Sequence, residues 1–176
     1  MEFEKALALV SEFFRREQSP FAVIGAFALQ AYGLTRATQD LDFAAEASAQ
    51  EKLTAYLSAC GYETLHRSAG YSNHLHSDPG LGRLDFVYVD GPTAEILFGS
   101  ARERLGPGGL RVPVPRAEHL IALKVHGIRN DPSRTFRDLA DIQYLMGLPG
   151  ADLEEIRGYF ERDGLLDRYH ELRKLS

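Results

Sequence analysis

The stretch Arg36-Ala37-Thr38-Gln39-Asp40-Leu41-Asp42-Phe43-Ala44 decides how this chain is read. From Asp40 onward carboxylates alternate with apolar side chains, which is the period of a half-buried strand. Residues two apart on a strand point to the same face about 6.6 Å along the chain, so Asp40 and Asp42 turn both carboxylates toward one small volume. Like charges on one face repel unless a cation or a base lies between them, which makes a hard divalent cation the natural occupant. The competing reading is an edge strand whose polar face meets water.

Working outward toward the amino terminus, the apolar run Phe21-Ala22-Val23-Ile24 has strand character and ends at Gly25, after which Ala26 to Tyr32 read as a short helix closed by Gly33. A strand that enters a helix through glycine offers unpaired backbone N–H groups and the positive end of a helix dipole, and glycine lets a phosphate approach the backbone. Phe3, Leu7, Val10 and Phe14 are spaced for a helix over residues 3–17, which Ser19-Pro20 stops.

Toward the carboxyl terminus, Ser48 followed by Glu51 predicts a capping box that opens a helix running to about Cys60 and closed by Gly61. Strands are expected at 62–67, 71–76 and 83–89. Asp85 alternates with Leu84 and Phe86 on the last of these and is the candidate third carboxylate. Three such groups form an oxygen-rich site able to hold two cations about 3.5 to 4 Å apart, the arrangement used in phosphoryl-type transfer. A short helix from Thr93, a glycine-rich loop at 106–109 and a strand at 110–114 lead to Pro115. Helices are then expected at 116–128, 133–146 and 152–174, the last broken near Gly164. Strands mixed with helices, then helices only, predict an α+β fold: a mixed sheet flanked by helices over 1–115 and a helical carboxyl-terminal region over 116–176 packed on it as one compact unit.

Length and composition agree with a globular protein. The chain has 176 residues, 44% apolar and 26% charged, with no run near the roughly 20 apolar residues that span a bilayer and no signal-peptide start, so a cytoplasmic location without membrane association is expected. Cys60 is the single cysteine and reads as a small buried hydrophobe. The net charge of −5 argues against general coating of nucleic acid, but residues 101–137 hold eight basic and three acidic groups, +5 there and −10 elsewhere. An anionic partner such as RNA is one reading of that bias, and scattered solvated arginines are the other. His74 and His76 alternate on a strand, but no cysteine or glutamate completes a transition-metal spacing.

The run Ile24-Gly25-Ala26 with Arg36-Ala37-Thr38-Gln39-Asp40-Leu41-Asp42-Phe43 resembles the signature of the nucleotidyltransferase superfamily. Together with Val114-Pro115, Leu120-Ile121-Ala122-Leu123-Lys124 and Arg137-Asp138-Leu139-Ala140-Asp141 it resembles the AbiEii/AbiGii toxin branch, over roughly residues 21–146. The resemblance implies transfer of an NMP from an NTP, dependent on Mg²⁺, two ions being expected, to an acceptor hydroxyl. RNA ends such as tRNA, another protein or a small molecule are the acceptors considered, and a cognate antitoxin protein is an implied partner. It further implies Asp40, Asp42 and Asp85 as catalytic metal ligands, Gly25 and Ala26 as the phosphate contact, Arg36 and Thr38 beside them, Lys124 on the nucleotide's phosphates, and Asp138 or Asp141 completing the helical motif. Ala26 departs from the glycine pair or Gly-Ser of the family: it keeps the backbone donor and lacks a hydroxyl. For Lys124 the alternative is a lysine at the edge of an apolar face, and for Asp138 and Asp141 surface salt links. Rival functions are a degenerate nucleotidyltransferase fold acting as a binding or antitoxin protein, and a phosphatase or glycosyltransferase with its own Asp-x-Asp.

Overall fold

The computed structural model describes residues 1–174, which fall into two compact units divided between Pro115 and Arg116. In the first, helix α1 (Phe3–Glu17) buries Ala6, Leu7, Val10, Phe13 and Phe14 along one stripe. It ends where Gln18 takes left-handed backbone angles (φ 50°), and the chain turns into strand β1 (Phe21–Val23), whose Phe21 stacks on Phe14 at 4.6 Å. Helix α2 (Gly25–Ala31) follows at once, starting at the glycine itself rather than after it.

Strand β2 (Asp40–Glu46) runs two residues beyond the expected stretch. The sheet is completed by β3 (Tyr62–Arg67), β4 (Tyr71–His76) and β5 (Arg83–Val89) in the order β1-β2-β5-β4-β3, with β2 and β5 parallel and the other pairs antiparallel. The parallel register sets Asp42 beside Asp85 and Phe43 beside Phe86. Because side chains alternate across a sheet, that single register sends both acids to one face and both rings to the other. There Phe43 and Phe86 stack at 5.0 Å and are fully buried with Leu41 and Leu84. Each such side chain contributes about 1.5 to 3 kcal/mol through its removal from water.

Helix α3 (Gln50–Ala59) does not begin with the expected capping box. The chain passes through a 3-10 turn at Ala47–Ala49, no side chain caps the helix, and Ala49 at its start has helical angles (φ −80°, ψ −15°), whereas a capping residue is extended. Gln50 instead donates to the Ser68 carbonyl at 2.7 Å. After helix α4 (Gly91–Gly99) comes a hairpin of β6 (Arg102–Leu105) and β7 (Arg111–Val114). The first of these strands was not anticipated, since all four of its residues are exposed and carry no alternation.

The second unit is helical. Helices α5 (Ala117–Asn130) and α6 (Thr135–Met146) pack through Leu120, Ile121, Val125 and Ile128 against Ile142, Leu145 and Met146, and α7 (Leu153–Arg162) and α8 (Leu166–Lys174) add Ile156, Phe160, Tyr169 and Leu172. Asp152 caps α7 by accepting from the N–H groups of Glu154 and Glu155. The break between α7 and α8 falls at Gly164, which takes a positive φ of 72°. Among the described residues no helix is long and apolar enough to cross a membrane.

Candidate active site

On the open face of the first unit's sheet, one carboxylate oxygen each from Asp40, Asp42 and Asp85 lie within 4.8 Å of one another. Three carboxylates this close repel in pairs by about 3 to 4 kcal/mol at an effective dielectric near 20, before water screening reduces it at the half-exposed Asp40 and Asp42. Thr38 restrains the first by donating its hydroxyl to Asp40 Oδ1. Arg83 restrains the third: Nε donates to Asp85 Oδ1 at 2.8 Å and Nη2 to Oδ2 at 3.1 Å, a two-pronged grip. The hydrogen bonds it donates to Asp85 hold the Arg83 proton more tightly than usual, and Nη2 also donates to the Tyr71 hydroxyl at 3.3 Å. Nothing in the sequence singled out Arg83, because a basic residue at the start of a strand reads as solvent-facing.

Asp42 is packed against the strand-to-helix junction. Its carbonyl accepts from the Ile24 N–H at 2.9 Å, Gly25 has a φ of 61°, and a Cβ at Gly25 would collide with the Asp42 carboxylate. Glycine is therefore required here twice, for its backbone angle and for the close approach of a site residue. Ala26, Arg36 and Thr38 line one cleft of about 250 Å³ with Phe27 and Gln30. The first unit thus brings together Gly25, Ala26, Arg36, Thr38, Asp40, Asp42 and Asp85.

In the second unit Lys124 is buried, and its Nζ donates to Asp138 Oδ1 at 2.9 Å and to Asp141 Oδ2 at 2.6 Å. Asp138 is wholly buried and also accepts from Arg134 Nε at 3.0 Å. These acids are not surface salt links. Of the basic residues between 101 and 137, Arg116 pairs with Glu118 and Glu155, and Arg129 pairs with Asp163, so part of that local charge is neutralised.

On the buried face of the sheet, His74 stands 3.0 Å from Thr64 Oγ1 and 2.8 Å from Ser72 Oγ, which in turn lies 2.8 Å from the Tyr88 hydroxyl. Burial pushes the His74 pKa down and the Tyr88 pKa up. His74 has its hydrogen-bond partners inside the core, which fits a satisfied core histidine.

The family model for the AbiEii nucleotidyl transferase toxin of type IV toxin–antitoxin systems matches residues 8–176. The chain belongs to this family. Its reaction class is accordingly nucleotidyl transfer, with an NTP as the nucleotide source. Solved structures similar to this AbiEii-family chain include the antibiotic-resistance factor ANT(2'')-Ia, at 16% identity and a TM-score of 0.67 over 99% of this chain and 97% of that one. A nucleotidyltransferase-like protein from Paracoccidioides brasiliensis aligns at 14% identity and 0.58 over 96% and 92%, and the lincosamide adenylyltransferase LnuA at 16% and 0.53 over 82% and 96%. At these identities the likeness is one of fold. No protein of curated function matches the sequence significantly.

Proposed function

We propose that this AbiEii-family chain transfers an NMP to an acceptor hydroxyl with Asp40, Asp42 and Asp85 holding the required divalent cations, two Mg²⁺ ions when substrate is bound. One observation carries this reading: one carboxylate oxygen each from Asp40, Asp42 and Asp85 converge within 4.8 Å. An all-oxygen donor set of that geometry fits a hard cation. A cation bound there supplies charge stabilisation at phosphoryl oxygens.

The chain's own residues do the rest. Gly25 and Ala26 present backbone to the triphosphate beside Asp42, and Arg36 offers a guanidinium from the adjoining cleft. Thr38 fixes the Asp40 carboxylate. In the second unit the resemblance assigns Lys124, whose ammonium donates to Asp138 and Asp141, to phosphate binding. Alignment of the acceptor hydroxyl with the α-phosphorus then accounts for most of the rate.

RNA, such as a tRNA end, is the preferred acceptor. Its support is the exposed arginines of the β6–β7 hairpin, Arg102, Arg104 and Arg111. The family also implies an antitoxin partner. A degenerate binding protein is the second reading, favoured by Ala26, whose side chain supplies no hydroxyl.

Thermal-shift titration with each of the four NTPs, with and without Mg²⁺, on wild type and Asp42→Ala, tests the proposal. Ligand at about a hundred times its dissociation constant stabilises by roughly 2.7 kcal/mol, a shift of about 5 to 10 °C for a chain of this size. A Mg²⁺-dependent shift that Asp42→Ala abolishes is expected. No shift with any NTP in folded protein transfers the assignment to the degenerate binder.

A further inference from the structure

Arg83 lies on the same face of β5 as Asp85, two residues before it, and in the parallel register it stands directly beside Asp40. It therefore adjoins two of the three acids, yet its guanidinium is turned wholly onto one of them, a separate hydrogen bond to each Asp85 oxygen. The Tyr71 hydroxyl on neighbouring β4 accepts from the outer nitrogen and supports the fork from the far side. A guanidinium keeps its proton throughout the working pH range and presents its donors in a fixed plane, so this grip fixes the rotation of the Asp85 carboxylate as well as its charge. A carboxylate has about four acceptor directions, and Arg83 uses one on each oxygen, so acceptor capacity remains on Asp85, one of whose oxygens lies within 4.8 Å of an oxygen of Asp42 and of Asp40.

We propose that Arg83 is a positioning residue for the cation site: it aims Asp85 at the volume shared with Asp42, and does so through its planar fork rather than through its positive charge. The inference rests on the reading of the acidic trio as a cation site. It makes a counterintuitive expectation, because a positive charge beside a cation site should by Coulomb's law weaken binding, and its removal should then help.

The test is calorimetric titration of the intact chain with Mn²⁺ alone, comparing wild type, Arg83→Lys, Arg83→Gln and Asp42→Ala, each shown to be folded by its urea midpoint. Groups that orient a metal ligand typically account for about 10- to 100-fold in metal affinity, and a loss of that size is expected in both Arg83 variants, including the lysine that retains the charge. Arg83→Lys binding like wild type would show that charge suffices, and Arg83→Gln binding more tightly would show that Arg83 competes with the cation. Either result overturns the proposal while leaving the site intact. Wild type binding no more Mn²⁺ than Asp42→Ala removes the cation site itself, and the proposal with it.

Discussion

Among the described residues a cluster of aspartates lies in each unit, and the two differ in burial and in their partners. In the helical unit Asp138 and Asp141 share the buried Lys124 ammonium, Arg134 adds a second cation, and Asp138 has no exposed surface. Arg137 adds a third at 3.9 Å from Asp138, so two carboxylates meet three cations. In the sheet unit, Asp40, Asp42 and Asp85 converge on a half-open face, where Arg83 grips Asp85. Acidic residues close in space are therefore not a site in themselves. What separates the two clusters is that one is sealed among its cations, whereas the other opens to solvent at Asp40 and Asp42.

The largest expected effect sharpens that contrast directly. Asp42→Ala should lower transfer of label from an α-³²P NTP at least about 10³-fold, equivalent to about 4 kcal/mol of barrier, in a protein that still unfolds cooperatively on heating. A variant that is inactive because it is unfolded breaks the comparison. Next, Lys124→Ala leaves two buried carboxylates without their shared partner and should cost about 3 to 5 kcal/mol in urea-monitored stability of the helical unit. If stability is unchanged, the helical cluster is no more closed than the acidic trio.

A smaller effect is expected at Gly25→Ala. The new Cβ meets the Asp42 carboxylate and the backbone is held at positive φ, together worth about 1 to 3 kcal/mol, read as a lowered urea midpoint with weakened Mn²⁺ binding. The smallest is a pH effect. The folded-state pKa of His74 is depressed by burial, so the unfolded chain binds its proton more readily. Stability is full above the unfolded pKa of about 6.5 and declines as pH falls through it. His119 in the helical unit is depressed in the same direction by the same cause. His74→Gln should flatten the acid slope in the sheet unit only, checked by urea unfolding between neutral and mildly acid pH.

Most of the sheet-unit site was legible from residue order because it depends on short-range regularities. Asp40, Asp42 and Asp85 announce their face by alternating with Leu41, Phe43, Leu84 and Phe86. The resemblance singled out Lys124, Asp138 and Asp141, but their pairing was hidden, since the two aspartates lie 14 and 17 positions from the lysine and meet it only through the packing of α5 against α6. Arg83 was hidden for another reason: its role lies in where the guanidinium points. Strand β6 has no pattern to read because its partner β7, not burial, makes it a strand. At Ser48 the local capping signal was present and lost to the turn at Ala47–Ala49.

The pairing of β2 with β5 makes the core a ruler for the chemistry. Asp42 and Asp85 are 43 positions apart in the chain, and what brings them level is the fit of Phe43 on Phe86 on the opposite side of the sheet. A slip of one residue would turn Phe86 outward and Asp85 into the apolar interior, so the sequence penalises the misaligned sheet on both faces at once. Accurate placement of the acids is in this sense inherited from the aromatic pair, and a chain whose sheet has closed correctly has, by the same event, assembled its carboxylates.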